Sequence, residues 1–436
     1  MFRSIEETMD WIHQLNKFGI RPGLERMEWV LREIGNPERK LHAIHVGGTN
    51  GKGSTVCLLR YIYQESGLQV GTYISPYITS FNERIMVNGE PISNGDLIKA
   101  ANIVYPLAQR VNRETDFGNL TEFEVVTLIS FVYFGMIRPC NLVIYEVGLG
   151  GRLDSTNVIQ PLVSVITNVA MDHMNLLGDT IKEIAFEKSG IIKQGIGVVT
   201  TAEHPDARAV IRRSAAEKNA KLFVIDEDFT TRPLGYDEAG EHFDFDTKTI
   251  HYRNLTIHLR GTHQLNNASA ALMAVNYLAT YCGITVQEDA IRSALKKAAW
   301  PGRFEKIMDH PLVIIDGAHN VQGTEALVQA IQRYYAKKTI HLLYAALEDK
   351  EYKKMIRCIE TIASDMTLTT FDFPRAASSD VLFSVSLHPR KRKIANWKTA
   401  LRQLLAQTTD QDLLLICGSL YFISRVRVEL NRYMHD

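Results

Sequence analysis

Leu41-His42-Ala43-Ile44-His45-Val46-Gly47-Gly48-Thr49-Asn50-Gly51-Lys52-Gly53-Ser54-Thr55 begins as an apolar run and ends in glycines, a lysine and hydroxyls before a helix-like segment. A strand therefore turns into a helix through a glycine-rich loop. Such a loop lets backbone N–H groups converge on phosphate oxygens, and the helix N-terminus adds positive potential. Lys52 supplies a charge for the β- and γ-phosphates, and Ser54 or Thr55 can reach Mg²⁺. The spacing is a variant of the usual phosphate-loop pattern, because the earlier glycine position falls on Val46 and Gly53 intervenes before the hydroxyl. An isolated Gly-rich loop is as readily a plain turn. Asn50-Gly51-Lys52-Gly53-Ser54 directly after a strand argues for nucleoside triphosphate use.

Outward from this loop, apolar runs at 70–74, 142–147, 162–167 and 197–200 alternate with helix-like segments, which predicts a parallel sheet flanked by helices. Before it, Ile5, Met9, Ile12 and Leu15, then Leu24, Met27, Val30, Leu31 and Ile34, recur at helical spacing on either side of Arg21-Pro22-Gly23. Between Asp226 and Arg260 short alternating runs, with turn signals at Asp246-Thr247-Lys248 and Arg253-Asn254, predict a small antiparallel β insertion. Helices are expected from Gln264 to Tyr281 and from Gln287 to Lys297. Trp300-Pro301-Gly302-Arg303 then breaks the pattern. Strand candidates at 312–315, 339–344, 366–371 and 412–417 follow, with helices between them. The expected fold is thus α/β: residues 1–298 form a phosphate-loop ATPase domain with a mostly parallel sheet, and residues 299–436 a smaller Rossmann-like domain.

With 436 residues, 45% of them apolar, the chain suits two domains with full cores. Its 49 basic and 49 acidic side chains balance, so no bulk field favours nucleic acid. The five cysteines form no C-x-x-C pair and read as reduced core residues. Without a signal-like N-terminus or a run of ~20 apolar residues, a cytoplasmic protein off the membrane is expected, as a monomer.

Chemistry-bearing residues collect at strand ends. Glu146-Val147-Gly148-Leu149-Gly150-Gly151-Arg152-Leu153-Asp154 puts a carboxylate where it can hold Mg²⁺, and Arg152 where it can meet an anion; a plain G-x-G-G turn is the alternative. His173, in Thr167-Asn168-Val169-Ala170-Met171-Asp172-His173, suits a metal, although a lone histidine is more often structural. Lys188 by itself reads as a solvated lysine. In Asp316-Gly317-Ala318-His319-Asn320, Asp316 can accept from a ribose hydroxyl or hold an amine, and Asn320 can simply cap the next helix.

Taken in order, the T-N-G-K-G-S loop, Ile74-Ser75-Pro76-Tyr77, Phe81-Asn82-Glu83-Arg84-Ile85, E-V-G-L-G-G-R-L-D, Met171-Asp172-His173, Glu187-Lys188-Ser189-Gly190, His263-Gln264 to Asn267-Ala268, W-P-G-R-F-E and D-G-A-H-N resemble folylpolyglutamate and dihydrofolate synthases of the Mur ligase superfamily. The likeness spans nearly the whole chain. Gly47, where many relatives carry alanine or threonine, and Ala346 to Lys350 depart slightly from the pattern. The resemblance implies ATP bound by Thr49, Asn50, Gly51, Lys52, Gly53, Ser54, Thr55, Asn267, Arg303 and Asp316. It implies two Mg²⁺ ions near Ser54, Ser75, Glu146 and His173, a Lys188 carrying a carbamate, and the option of a monovalent cation. Asp316 and His319 are implied to reach toward ATP or the amino acid. The implied substrates are L-glutamate and a reduced folate or dihydropteroate, joined through an acyl phosphate with Lys52, Lys188, Asp316 and His319 as catalytic groups. A muropeptide ligase shares this scaffold, and a non-catalytic nucleotide switch is a third reading, disfavoured by the lack of an N-K-x-D motif.

Overall fold

The computed structural model of the protein describes residues 1–435. They divide into two compact units, Met1–His258 with Leu265–Ala298, and Leu259–Gln264 with the chain from Ala299 onward. Residues 259–264, read from the sequence as part of the first domain, cluster with the second, where Gly261 N donates to the Tyr334 hydroxyl at 3.0 Å.

The first unit is built on strands β1 (Ala43–Gly47), β2 (Val70–Tyr73), β3 (Ile85–Val87), β4 (Glu90–Pro91), β5 (Leu142–Glu146), β6 (Val163–Ile166), β7 (Val198–Thr200) and β8 (Leu222–Val224). They form one sheet in the order β4-β3-β2-β5-β1-β6-β7-β8. From β2 to β8 the neighbours are parallel, while β3 and β4 add an antiparallel edge. Every residue of β1 and of β5 is buried, as both faces of a parallel sheet demand. The helices Ile5–Gln14 and Glu25–Ile34 put Trp11, Ile12, Met27, Val30 and Leu31 into one core with Val143 and Tyr145 of β5. Ile184 and Ile211 join Val147 and Ile166 in another.

The predicted insertion is a separate antiparallel sheet of β9 (Phe229–Asp237), β10 (Gly240–Thr247) and β11 (His251–Ile257). Arg253-Asn254 does not turn the chain. It lies inside β11 at a register shift opposite Asp244, with Asn254 at φ 49° and its N–H donating to Asp244 Oδ1 at 2.8 Å. A bulge uses the same left-handed asparagine that a turn would, so the residues were right and the geometry different.

In the second unit β12 (Glu305–Asp309), β13 (Leu312–Asp316), β14 (Thr339–Tyr344), β15 (Asp365–Thr370), β16 (Lys391–Asn396) and β17 (Asp412–Cys417) take the order β12-β13-β17-β14-β15-β16. All neighbours are parallel except β12 and β13. Ile314, Leu342, Leu368 and Leu415 meet Leu327, Ile331 and Ile356 in its core.

All five cysteines are free, but Cys282 ends the helix Thr262–Cys282 in an exposed position, against the expectation of a core residue. No helix among the described residues is long and apolar enough to cross a membrane.

Candidate active site

The loop after β1 is fastened from the end of β6. Thr167 Oγ1 donates to Asn50 O at 2.6 Å and to Gly47 O at 3.2 Å, and Asn50 N donates to Asn168 Oδ1 at 2.7 Å. Thr49 Oγ1 accepts from Ala170 N at 3.0 Å. Lys52, first residue of the helix Lys52–Glu65, donates from Nζ to Gly48 O and Thr49 O, each at 3.0 Å. Gly51 at φ 83° has the Asn267 amide packed against it: a Cβ there would sit 2.1 Å from Asn267 Oδ1. The loop and Asn267, far apart in sequence, thus meet. Ser54 and Thr55 are buried in the first helical turn, and Thr55 Oγ1 has no hydrogen-bond partner.

Glu146 closes β5 and is the register partner of Val46 in β1, so its carboxylate stands at the same sheet edge as the loop. It is buried, and its Oε2 accepts from Ser75 N at 3.2 Å, which ties the segment after β2 to this edge. His173 stands at φ 51° before the short helix Met174–Leu177, with Asp172 Oδ1 accepting its N–H at 2.9 Å and lying 3.9 Å from Nε2. No group of three His, Cys, Asp or Glu side chains poised for a metal occurs among the described residues. Mg²⁺ does not need one, since it takes one or two carboxylates and completes its shell with phosphates and water. The oxygen donors Ser54, Thr55, Ser75 and Glu146 fit that habit, and the partnerless Thr55 hydroxyl is such a donor.

Lys188, in the last turn of the helix Ile181–Ser189, is only 3% exposed. Burial brings its ammonium pKa down to about 7; the charge of Lys52 adds to the fall, while Asp172 and Asp154 oppose it. The glycine segment after β5 fastens this helix. Arg152 N donates to Glu187 O at 2.7 Å, and Asn157 Nδ2 donates to both Arg152 O and Gly190 O at 3.0 Å. A Cβ on Gly190 would lie 2.3 Å from Arg152 Cα. The Arg152 guanidinium is engaged by Glu187 Oε1 at 2.8 Å and lies over the Phe186 ring, so the anion it meets in the structure is a side chain of the protein.

Sequence reading missed the supports. Thr167, Asn168 and Asn157 act on backbone groups distant in the chain, and Asp154 accepts from Leu149 N at 2.9 Å and Thr156 N at 3.0 Å. His45 of β1 joins the same group, its Nε2 2.8 Å from Thr156 Oγ1. Burial, reinforced by Lys193, holds its pKa down at about 3, so the ring is neutral.

In the second unit Asp316 ends β13. Its Oδ2 accepts from Phe304 N and its Oδ1 from Ala318 N, both at 2.7 Å. Burial raises its pKa, against the pull of Arg303 and of these two N–H groups. His319 Nδ1 lies 2.8 Å from Gly317 O. A carbonyl only accepts, so Nδ1 carries a proton. Asn320 caps the helix Val321–Tyr335 by accepting from Gly323 N at 2.8 Å, the role its sequence position allowed.

A phosphate loop backed by a carboxylate at one sheet edge, with a buried lysine of lowered pKa electrostatically coupled to Lys52, in a chain with a second α/β unit, is the pattern of an ATP-dependent ligase of the Mur type. Family models agree: residues 113–275 match the Mur ligase middle domain and residues 302–420 the Mur ligase glutamate ligase domain. The dihydrofolate synthase/folylpolyglutamate synthase of Bacillus subtilis is 43% identical over 434 residues, 99% of this chain and 100% of that protein. Among solved structures, Mycobacterium tuberculosis folylpolyglutamate synthase complexed with ADP and AMPPCP superposes with a TM-score of 0.89 at 27% identity, covering 98% of each chain. Escherichia coli FolC in complex with DHPP and ADP gives 0.88 at 27% identity, over 100% of this chain and 99% of that one. The chain belongs to the dihydrofolate synthase/folylpolyglutamate synthase family.

Proposed function

We propose that this ligase couples the α-amine of L-glutamate to a pterin-bearing carboxylic acid, taking both reduced folates and dihydropteroate, with ATP converted to ADP and phosphate. The observation that carries this is the glycine loop at the end of β1 standing beside Glu146 at the end of β5, with a partnerless Thr55 hydroxyl in the first helical turn. The two-activity name of the relative 43% identical over the whole chain supports the double substrate range.

A carboxylate in water has no adequate leaving group, so the γ-phosphoryl passes to it, giving an acyl phosphate that the amine of glutamate attacks. The tetrahedral intermediate then expels phosphate. Thr49 to Thr55, Asn267 and Arg303 bind the nucleotide, and Lys52 neutralises charge on the transferring group. Ser54, Ser75, Glu146 and His173 would hold two Mg²⁺ ions, which supply further charge neutralisation when bound. Lys188, half neutral near pH 7, is suited to add CO₂: the amine lone pair attacks carbon, one N–H proton leaves, and a carbamate replaces a cation with an anion. The role the family resemblance implies for His319 is to reach toward ATP or the amino acid. The enzyme is read as a cytoplasmic monomer.

The test is ADP release and product mass with ATP, Mg²⁺ and L-glutamate, offering dihydropteroate and tetrahydrofolate in separate reactions. Turnover on both is expected. Turnover on tetrahydrofolate alone removes the synthase half of the reading, and silence on both removes the whole.

A further inference from the structure

Lys188 is buried and makes no hydrogen bond among the described residues, so nothing at its amine fixes where that amine stands. Its place is set from the backbone behind it. The helix Ile181–Ser189 runs into a tight segment in which Ile191 N donates to Lys188 O at 3.4 Å and Ile192 N to Ser189 O at 3.0 Å. Ser164 Oγ of β6 donates to Ile191 O at 2.8 Å, and Ile191 and Ile192 are themselves buried, which anchors this segment on the sheet.

Lys193 follows on the same segment, and its Nζ donates to Asn157 O at 2.6 Å. Asn157 lies in the short turn Ser155–Val158 and spends both N–H bonds of its amide on the junction behind Lys188, one on Arg152 O and one on Gly190 O. The two lysines thus share one clamp and differ in their partners. Burial holds the Lys193 pKa at about 8, with Lys218 adding to the fall and Glu28 opposing it, so at pH 7 it is mostly charged and gives Asn157 O the stronger bond of an ionised donor. Lys188 has no acceptor and answers only to the charges around it, Lys52 foremost.

We infer that Lys193 is a positioning residue: standing on the anchored segment, it holds the Asn157 turn, whose amide closes the junction behind Lys188, and so keeps the Lys188 amine where its carbamate is stable. This rests on the carbamate reading of Lys188. The charge of Lys52 that disfavours an ammonium at this place favours an anion there, and the attraction weakens as the two groups separate. When the carbamate forms, the amine lone pair makes an N–C bond to CO₂, one C=O electron pair moves onto oxygen, and the nitrogen releases a proton to solvent. The addition is reversible, so a lysine held less well needs more CO₂ to reach the same occupancy.

The test uses the full chain, with uptake of ¹³CO₂ read by NMR and kcat and KM read by ADP release, over a series of dissolved CO₂ concentrations. The Lys188 signal is the one that disappears in Lys188→Met, which separates it from a carbamate on Lys193 itself. Lys193→Met is expected to raise the CO₂ needed for half-maximal signal and for half-maximal kcat about 10-fold, with kcat at saturating CO₂ and the KM for ATP within about 2-fold of the parent's. Lys193→Arg, which keeps a charged donor, is expected to stay within about 3-fold of the parent in its CO₂ requirement. An unchanged CO₂ requirement in Lys193→Met overturns the inference. So does a lost kcat that CO₂ does not recover, since a general loosening of the fold would not answer to CO₂. Absence of a Lys188 signal in the parent removes the carbamate reading and the inference with it, a result distinct from the other two. Should Lys193→Met fail to fold, Asn157→Ser, which gives up both amide donors, carries the same comparison.

Discussion

Lys52 and Lys188 carry opposite obligations at the same sheet edge. Lys52 must stay charged to meet phosphate, so Lys52→Ala is expected to lower ADP release by about 10³-fold while the far-ultraviolet spectrum stays unchanged. On the proposed mechanism Lys188 loses its charge and becomes a carbamate. Lys188→Ala is expected to be inactive and partly restored by millimolar acetate or formate; absence of any rescue, with a Lys188 that takes up no ¹³CO₂ by NMR in the parent, would dispose of the carbamate. In CO₂-free buffer the lysine has a second signature. Its folded pKa of about 7 lies below the ordinary 10.5, so the unfolded chain binds more protons between those values and stability rises with pH across the window. Lys188→Met is therefore expected to be more stable than the parent at pH 7, with the two converging near pH 10.5 in urea titrations. That the glycine loop follows β1 and that Glu146 closes β5 was legible in the sequence, because an apolar run that gives way to glycines or an acid marks where a strand ends. Asn168 and Asn157 were not legible, since an asparagine bonded to a loop backbone 118 residues away looks like any other asparagine.

Between elements, the decisive contact is the glycine segment after β5 against the last turn of the helix Ile181–Ser189. Gly190→Ala would push a methyl into Arg152 Cα, so either the helix or the segment must shift. Expected is a fall in kcat of about 10-fold or more with the helix still formed, because the displaced group is Lys188; an unchanged kcat would mean that this junction does not set the lysine's position. The central strands β1, β5, β6, β13, β14 and β17 were readable as mostly apolar runs, interrupted by single polar residues such as His45, Ser164 and His341, as a doubly covered sheet requires. The edge strands β4, β12 and β16 escaped. Glu90–Pro91 is two residues long, and Glu305–Asp309 and Lys391–Asn396 are rich in charge, so none shows the periodicity that announces a strand.

At the scale of the whole chain, acid stability is expected to depend on His45, buried within the strand that leads into the phosphate loop. With a folded pKa of about 3 against 6.5, the unfolded chain binds the extra proton across that interval, and stability is lost as pH falls through it. His45→Gln keeps a polar partner for Thr156 and removes the titration. Its acid-unfolding midpoint, followed by tryptophan fluorescence, is expected at lower pH than the parent's, and coincident curves would show that other groups set the acid limit. The charged outer strands of the second sheet bear on a different property. Acidic and basic side chains cancel over the molecule, so copies meeting in a crowded solution feel little mutual repulsion at a distance. What discourages one sheet from continuing into the next is then local: the Lys391-Arg392-Lys393 run on β16 at one end, and Glu305, Lys306 and Asp309 on β12 at the other. Substitutions that strip the charge from these two ribbon edges are accordingly expected to lower the concentration at which copies begin to associate, read by light scattering.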